Sequence, residues 1–85
     1  MIIVVSPQIE KDYSRLPEEL RKRSDDKLAR FVNDPFDPQL QIKPMQGYVG
    51  LFECRLSLSH RFIFRREGDT CTLRRIGPHD ILERP

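Results

Sequence analysis

Apolar residues are spaced along this chain in two different rhythms. After the initiator comes a short unbroken apolar run, Ile2 to Val5, which predicts a strand over residues 1–5 buried on both faces. Ser6 and Pro7 then mark a helix start, with Ser6 able to cap and Pro7 suited to the first helical position. Ile9, Tyr13 and Leu16 follow at i, i+4 and i+7, the stripe of an amphipathic helix. Pro17 restarts the helix, and Glu18 and Glu19 suit the positive end of its dipole. Leu20, Leu28, Phe31 and Val32 continue a stripe with Ser24 as its small member, until Asn33-Asp34-Pro35 ends it. The pattern predicts two antiparallel helices in a hairpin, over residues 7–15 and 17–33.

Residues 34–47, DPFDPQLQIKPMQG, contain three prolines and a closing glycine. They read as a loop with one extended segment at Leu40 to Lys43. Beyond it the rhythm changes to period two. Phe52, Cys54, Leu56 and Leu58 alternate with Glu53, Arg55 and Ser57, giving one apolar and one polar face. Arg61 to Arg66 predicts the next strand, Glu67-Gly68-Asp69 a hairpin turn, and Thr70 to Ile76 a third strand that Gly77-Pro78 breaks. The order β-α-α-β-β-β implies one α+β domain spanning residues 1–85. Its sheet is twisted and mainly antiparallel, with the helix hairpin on one face.

Composition narrows the class. The chain of 85 residues is 33% charged and 38% hydrophobic, with no low-complexity run, as in a folded protein with a modest core. Its longest apolar run falls far short of the ~20 residues that span a bilayer. No basic segment followed by an apolar stretch opens the chain, which predicts a cytoplasmic location. Cys54 and Cys71 read as reduced, buried thiols. A zinc site from Cys54, His60, Cys71 and His79 would lack any closely spaced cysteine pair, so no metal is expected. Charge is unevenly divided. Residues 1–42 hold seven Lys/Arg against eight Asp/Glu, whereas residues 43–85 hold eight against five, and seven of those eight bases are arginines. A guanidinium-rich half suits a phosphate or carboxylate partner.

Four segments in order resemble the RelE/ParE superfamily of toxin–antitoxin modules, nearest to its YafQ-like and RelE-like mRNA interferases. They are SPQIEKDYSRL, NDPFDPQLQIKPMQG, LFECRLSLSHRFIF and LRRIGPHDIL. The second resembles the family's NPFHPSL…PLKG stretch, the third its LYSFRV…YRVVF, and the last its IGNHDEVY. The resemblance implies the RelE-like fold and a toxin that enters the ribosomal A site and cuts mRNA there without metal or cofactor. In that reaction the ribose 2′-hydroxyl attacks the adjacent phosphate, leaving a 2′,3′-cyclic phosphate and a 5′-hydroxyl. It also implies a cognate antitoxin partner, for which the two helices are the expected docking elements. A gyrase-inhibiting toxin of the ParE kind, or an inactive member that only binds a partner, are the alternatives.

Such a reaction needs a base, an acid and cations around the phosphorane. Histidine can fill either proton role because its ordinary pKa lies near ~6.5. His79 follows Gly77-Pro78 and falls on the family's C-terminal catalytic histidine. Asp80, beside it, is read as capping a turn, with a direct role as the alternative. Arg61 matches a family arginine that contacts the scissile phosphate; a cross-strand ion pair with Glu53 is its structural alternative. Arg75 matches another family arginine, although strand parity places it with Cys71 and Leu73 on the core face unless a bulge turns it outward. Lys43 falls where relatives place a histidine, lysine or carboxylate, as base or phosphate contact. Glu53 can serve as base in its place, Arg55 can grip a phosphate, and His60 is read as structural. Many relatives end with an aromatic residue after the histidine. Here the chain reads Ile81-Leu82-Glu83-Arg84-Pro85, so base stacking would fall to Tyr48 or Phe36, or be absent.

Overall fold

Residues 1–85 are described by a computed structural model. The chain starts on a sheet edge: β1 (Ile2–Val5) pairs in parallel with the last strand, β5 (Thr70–Pro78), from Ile2 opposite Thr70 to Val5 opposite Leu73. Between them lie α1 (Pro7–Ser14), α2 (Glu18–Asn33), a 3₁₀ turn (Pro38–Leu40), β2 (Lys43–Pro44), β3 (Leu51–Arg55) and β4 (His60–Glu67). A C-terminal 3₁₀ helix (His79–Glu83) closes the chain. The five-stranded sheet has the order β1-β5-β4-β3-β2, antiparallel except at β1. No helix is long and apolar enough to cross a membrane.

Both helices lie on one face. Ile9 of α1, Leu16 just beyond it and Phe31 of α2 pack with Cys54, Phe62, Phe64, Cys71, Leu73 and Ile76 in a single cluster. Phe31 sits at its centre, fully buried, 4.7 Å from the Phe64 ring and 5.5 Å edge-on from Phe62. Ser24, also fully buried, is the small residue on that stripe. Tyr13 packs at the rim of the core, and its hydroxyl donates to Asp25 at 2.8 Å, tying α1 to α2. The opposite face has its own small cluster, Met45, Leu51, Ile63 and Ile81, with Ile81 coming from the C-terminal 3₁₀ helix.

Several expectations are corrected. β1 is an edge strand with Ile2, Val4 and Val5 exposed, not a strand buried on both faces, because only β5 flanks it. Ser6 stands before α1 but caps no helical N–H; its hydroxyl donates instead to the Arg74 carbonyl at 3.1 Å. The extended segment after the loop is Lys43–Pro44, while Leu40 lies in a 3₁₀ turn. β3 stops at Arg55. The Ser57 hydroxyl accepts from the amides of Ser59 and His60 and turns the chain, so Leu58 is thrown outward, 84% exposed. Val32 is likewise exposed at the end of α2. Gly77-Pro78 does not break the last strand, which runs through Pro78. Gly77 is there because the C-terminal helix lies directly on it: a Cβ would stand 2.9 Å from Ile81 Cγ2.

Candidate functional site

On the sheet face away from the main core, strand register arranges the charged side chains in rows. One row runs Lys43, Glu53, Ile63, Arg75 across β2, β3, β4 and β5; the next runs Arg55, Arg61, Gly77. Directly opposed residues on neighbouring strands have Cβ atoms ~5 Å apart, so Lys43, Glu53, Arg55 and Arg61 form one neighbourhood. Within it Arg61 Nε lies 3.6 Å from Glu53 Oε1, and both side chains are largely covered, 12% and 17% exposed. Lys43 is exposed and makes neither an ion pair nor a side-chain hydrogen bond.

The turn between β3 and β4 organises this group. Arg61 Nη1 donates to the carbonyls of Ser57 at 2.7 Å and His60 at 2.9 Å, and Arg55 Nε donates to Ser57 at 3.4 Å. The amide of His79 donates to the Ser59 carbonyl at 2.8 Å. Three consecutive residues, Ser57 to Ser59, thus tether both arginines and the histidine. The His79 side chain is exposed at the start of the C-terminal helix. His60 Nδ1 lies 2.7 Å from the Ser59 hydroxyl in the same turn.

Arg75 is placed differently from its expected partners. The register slips between Ile63 and Phe64: Ile63 faces Arg75 and Phe64 faces Leu73, leaving Arg74 as the extra residue of a β-bulge. The bulge removes Arg75 from the face of Cys71 and Leu73, contrary to simple parity. Buried Ile63 then separates it from Glu53. Its guanidinium is taken up by Asp12 of α1, with Nε to Oδ2 at 2.8 Å and Nη2 to Oδ1 at 3.2 Å, while Nη1 donates to the Arg84 carbonyl at 3.0 Å. Asp12 is 3% exposed. Burial raises its pKa, but hydrogen bonds from Arg75, Gln8 and the Ile76 amide outweigh burial and hold the carboxyl below its usual range. Sequence reading missed Asp12, although its position three residues after Ile9 and four before Leu16 puts a charge on the apolar stripe of α1.

Asp80 makes no capping hydrogen bond. Tyr48 is half exposed in the turn between β2 and β3, its amide bonded to the Met45 carbonyl. Phe36 lies elsewhere: it packs under the Arg66 guanidinium, 4.6 Å from the ring centroid, beside a hollow lined by Ile42, Phe52 and Phe64 on the helix side. The charged residues of that hollow are already engaged, Asp37 with the Gln39 amide and Arg30, and Arg66 over Phe36, so the charged open face is the stronger candidate. Burial pushes the Cys54 thiol up to about 11, and Cys71 is raised for the same reason. No group of three or more His, Cys, Asp or Glu side chains is gathered as metal ligands.

No family model matches the chain, and no curated protein matches it by sequence. Solved structures do match. RelE in the RelB–RelE antitoxin–toxin complex from Methanococcus jannaschii superposes with a TM-score of 0.80 at 22% identity over 95% of both chains. YafQ from E. coli strain BL21(DE3) gives 0.76 at 16% identity over 94% of both chains. The YoeB/ParE toxin from Agrobacterium tumefaciens gives 0.73 at 21% identity, over 93% of this chain and 99% of the other. The fold is therefore that of the RelE-like toxins: α+β, with two helices and an open, twisted, mixed sheet of five strands.

Proposed function

We propose that this chain is the toxin of a type II toxin–antitoxin pair and an endoribonuclease that cuts mRNA on the ribosome. The observation that carries the reading is one cluster. An acid, Glu53, stands at ion-pair distance from Arg61, and the turn that anchors Arg61 also anchors Arg55 and His79. The fold shared with RelE, YafQ and YoeB supports it.

In this mechanism Glu53 takes the proton from the ribose 2′-hydroxyl. The oxygen attacks the neighbouring phosphorus, a 2′,3′-cyclic phosphate forms, and the bond to the 5′-oxygen breaks. His79 in its protonated form gives its proton to that leaving oxygen. Arg61, Arg55 and Lys43 face the phosphate and offset the charge that builds on the phosphorane. Glu53 is assigned as base rather than Lys43 because an ionised carboxylate has lone pairs to accept a proton, whereas an exposed ammonium has none. Each positioned acid or base contributes ~10²–10⁴-fold, and an aimed cation roughly 10²–10³-fold. Tyr48 is the aromatic left to stack on a base, since Phe36 is engaged with Arg66. Asp80 borders the site beside His79. The partner that restrains the toxin is a cognate antitoxin, as in the DinJ–YafQ complex of E. coli.

The test is controlled expression followed by mapping of mRNA 5′ ends, comparing wild type with His79→Ala and Glu53→Gln. New 5′-hydroxyl ends within translated codons are expected from wild type and not from either variant. Growth arrest with unchanged mRNA ends would defeat the nuclease reading and point to gyrase; absence of any growth phenotype would point to a partner-binding member.

A further inference from the structure

We infer that Asp12 is a positioning residue for His79, acting through Arg75; the inference rests on the nuclease reading above. β1 ends at Val5, opposite Leu73, so beyond Leu73 β5 is flanked by β4 alone and its other margin has no strand. Two side chains of the following segment replace the missing strand. Ser6 donates its amide to Leu73 and its hydroxyl to Arg74, and Asp12 Oδ2 accepts the Ile76 amide at 3.0 Å. Ser6 thereby fixes the backbone at the bulge and Asp12 the backbone just after it.

The same carboxylate fixes Arg75. A guanidinium is planar and rigid, so binding Nε and Nη2 to one carboxylate also sets the direction of Nη1. That third nitrogen reaches the Arg84 carbonyl, at the far end of the C-terminal 3₁₀ helix. The near end is held by the His79 amide on Ser59, and the middle by Ile81 lying on Gly77. Five residues of 3₁₀ helix have little stability of their own, so these attachments, with Arg74 Nη2 on the Pro85 carbonyl at 3.3 Å, decide where the segment sits. Only the Arg75 attachment depends on a buried charge, and Asp12 supplies that charge. A group placed as acid loses on the order of 10²-fold in rate for a displacement of ~1 Å, so a loosened segment costs chemistry with no residue touching RNA removed.

The experiment compares wild type, Asp12→Asn and Arg75→Met. Asparagine keeps the shape and an acceptor for the Ile76 amide, so the sheet should survive. Amide hydrogen exchange is followed in residues 79–84 and, as a control for global unfolding, in β4. Steady-state cleavage of ribosome-bound mRNA gives kcat and KM separately. Asp12→Asn should speed exchange in 79–84 by on the order of 10-fold with β4 unchanged. It should lower kcat by roughly 10–100-fold while KM stays within about 2-fold. Arg75→Met should do the same, and the double variant should lose little more than either single one. Unchanged exchange in 79–84, an equal rise in β4, or faster exchange with unchanged kcat would each overturn the inference. A wild type that cuts no RNA defeats the nuclease reading separately, and the exchange rates still decide whether Asp12 holds the segment.

Discussion

Replacing Gly77 with alanine tests how the C-terminal segment is seated. Gly77 is buried in β5, opposite Arg61, and is not among the glycines with positive φ, so alanine can adopt its backbone conformation. What it lacks is space. The new Cβ would stand 2.9 Å from Ile81 Cγ2, whereas two carbons in good contact are ~3.5–4.0 Å apart. One side must move by ~0.6 Å or more. β5 is fixed by its ladder with β4, so the five-residue helix carrying Ile81 should yield. Overpacking of this kind costs about 1–3 kcal/mol. Stiffening of the unfolded chain by Gly→Ala returns about 0.4–1 kcal/mol. The clash wins, with a net loss of roughly 1–2 kcal/mol from a total stability of about 4–13 kcal/mol for a chain this size. At ~4–8 °C per kcal/mol, Tm should fall by roughly 5–15 °C. Ile81→Ala alone should cost about 2–5 kcal/mol, since it empties a packed site beside Met45, Leu51 and Ile63. In the double variant the clash disappears, so urea unfolding should show a sum smaller than the two singles by about 1–2 kcal/mol. Additivity within ~0.5 kcal/mol, or a stabilising Gly77→Ala, would refute the close-approach argument.

Two further predictions follow from buried ionisable groups. The Asp12 carboxyl is held below its usual range in the folded state, so the unfolded chain binds the proton more readily. Its contribution to stability is complete above the ordinary carboxylate value near ~3.9 and is lost as pH falls through the lower folded value. Asp12→Asn should flatten the acid side of a stability–pH curve, and superimposable acid limbs would count against the Asp12–Arg75 pairing. Cys54 shifts the other way: burial raises its thiol from 9.0 to about 11, so its contribution is complete below 9 and fades between those values as pH rises. At pH 8 its alkylation by iodoacetamide should track unfolding, and fast labelling of the native protein would show the core around Leu40 and Phe62 to be open.

How much of this was legible beforehand depended on whether a feature was set by local pattern or by what packs against it. The helix limits came within a residue of the structure, 7–15 against Pro7–Ser14 and 17–33 against Glu18–Asn33, because proline placement and apolar spacing are local signals. The charged face of β3 was equally plain from its alternation. β1 was misjudged because a short apolar run reads the same at an edge as in the middle of a sheet. Arg75 could not be placed by counting, since one bulged residue reverses every later side chain. Asp12 shows a different limit. Its position on the apolar stripe was visible, but its partner lies 63 residues away, and no local pattern records that.

The same distance explains why the candidate site has the form it does. Glu53 and Arg61 belong to strands and are placed by register, which a two-residue error would move along the sheet by ~6.6 Å. His79 belongs to a short 3₁₀ helix and is placed by its attachments. The Ser57–Ser59 turn joins the two systems, since its carbonyls take the arginine side chains and the His79 amide together. On the proposed mechanism a change in that turn moves Arg55, Arg61 and His79 at once, whereas a change at Asp12 moves His79 alone. Losses at Ser57 should accordingly appear in both KM and kcat, and losses at Asp12 in kcat only. That contrast separates a residue that builds the site from one that aims a single group within it.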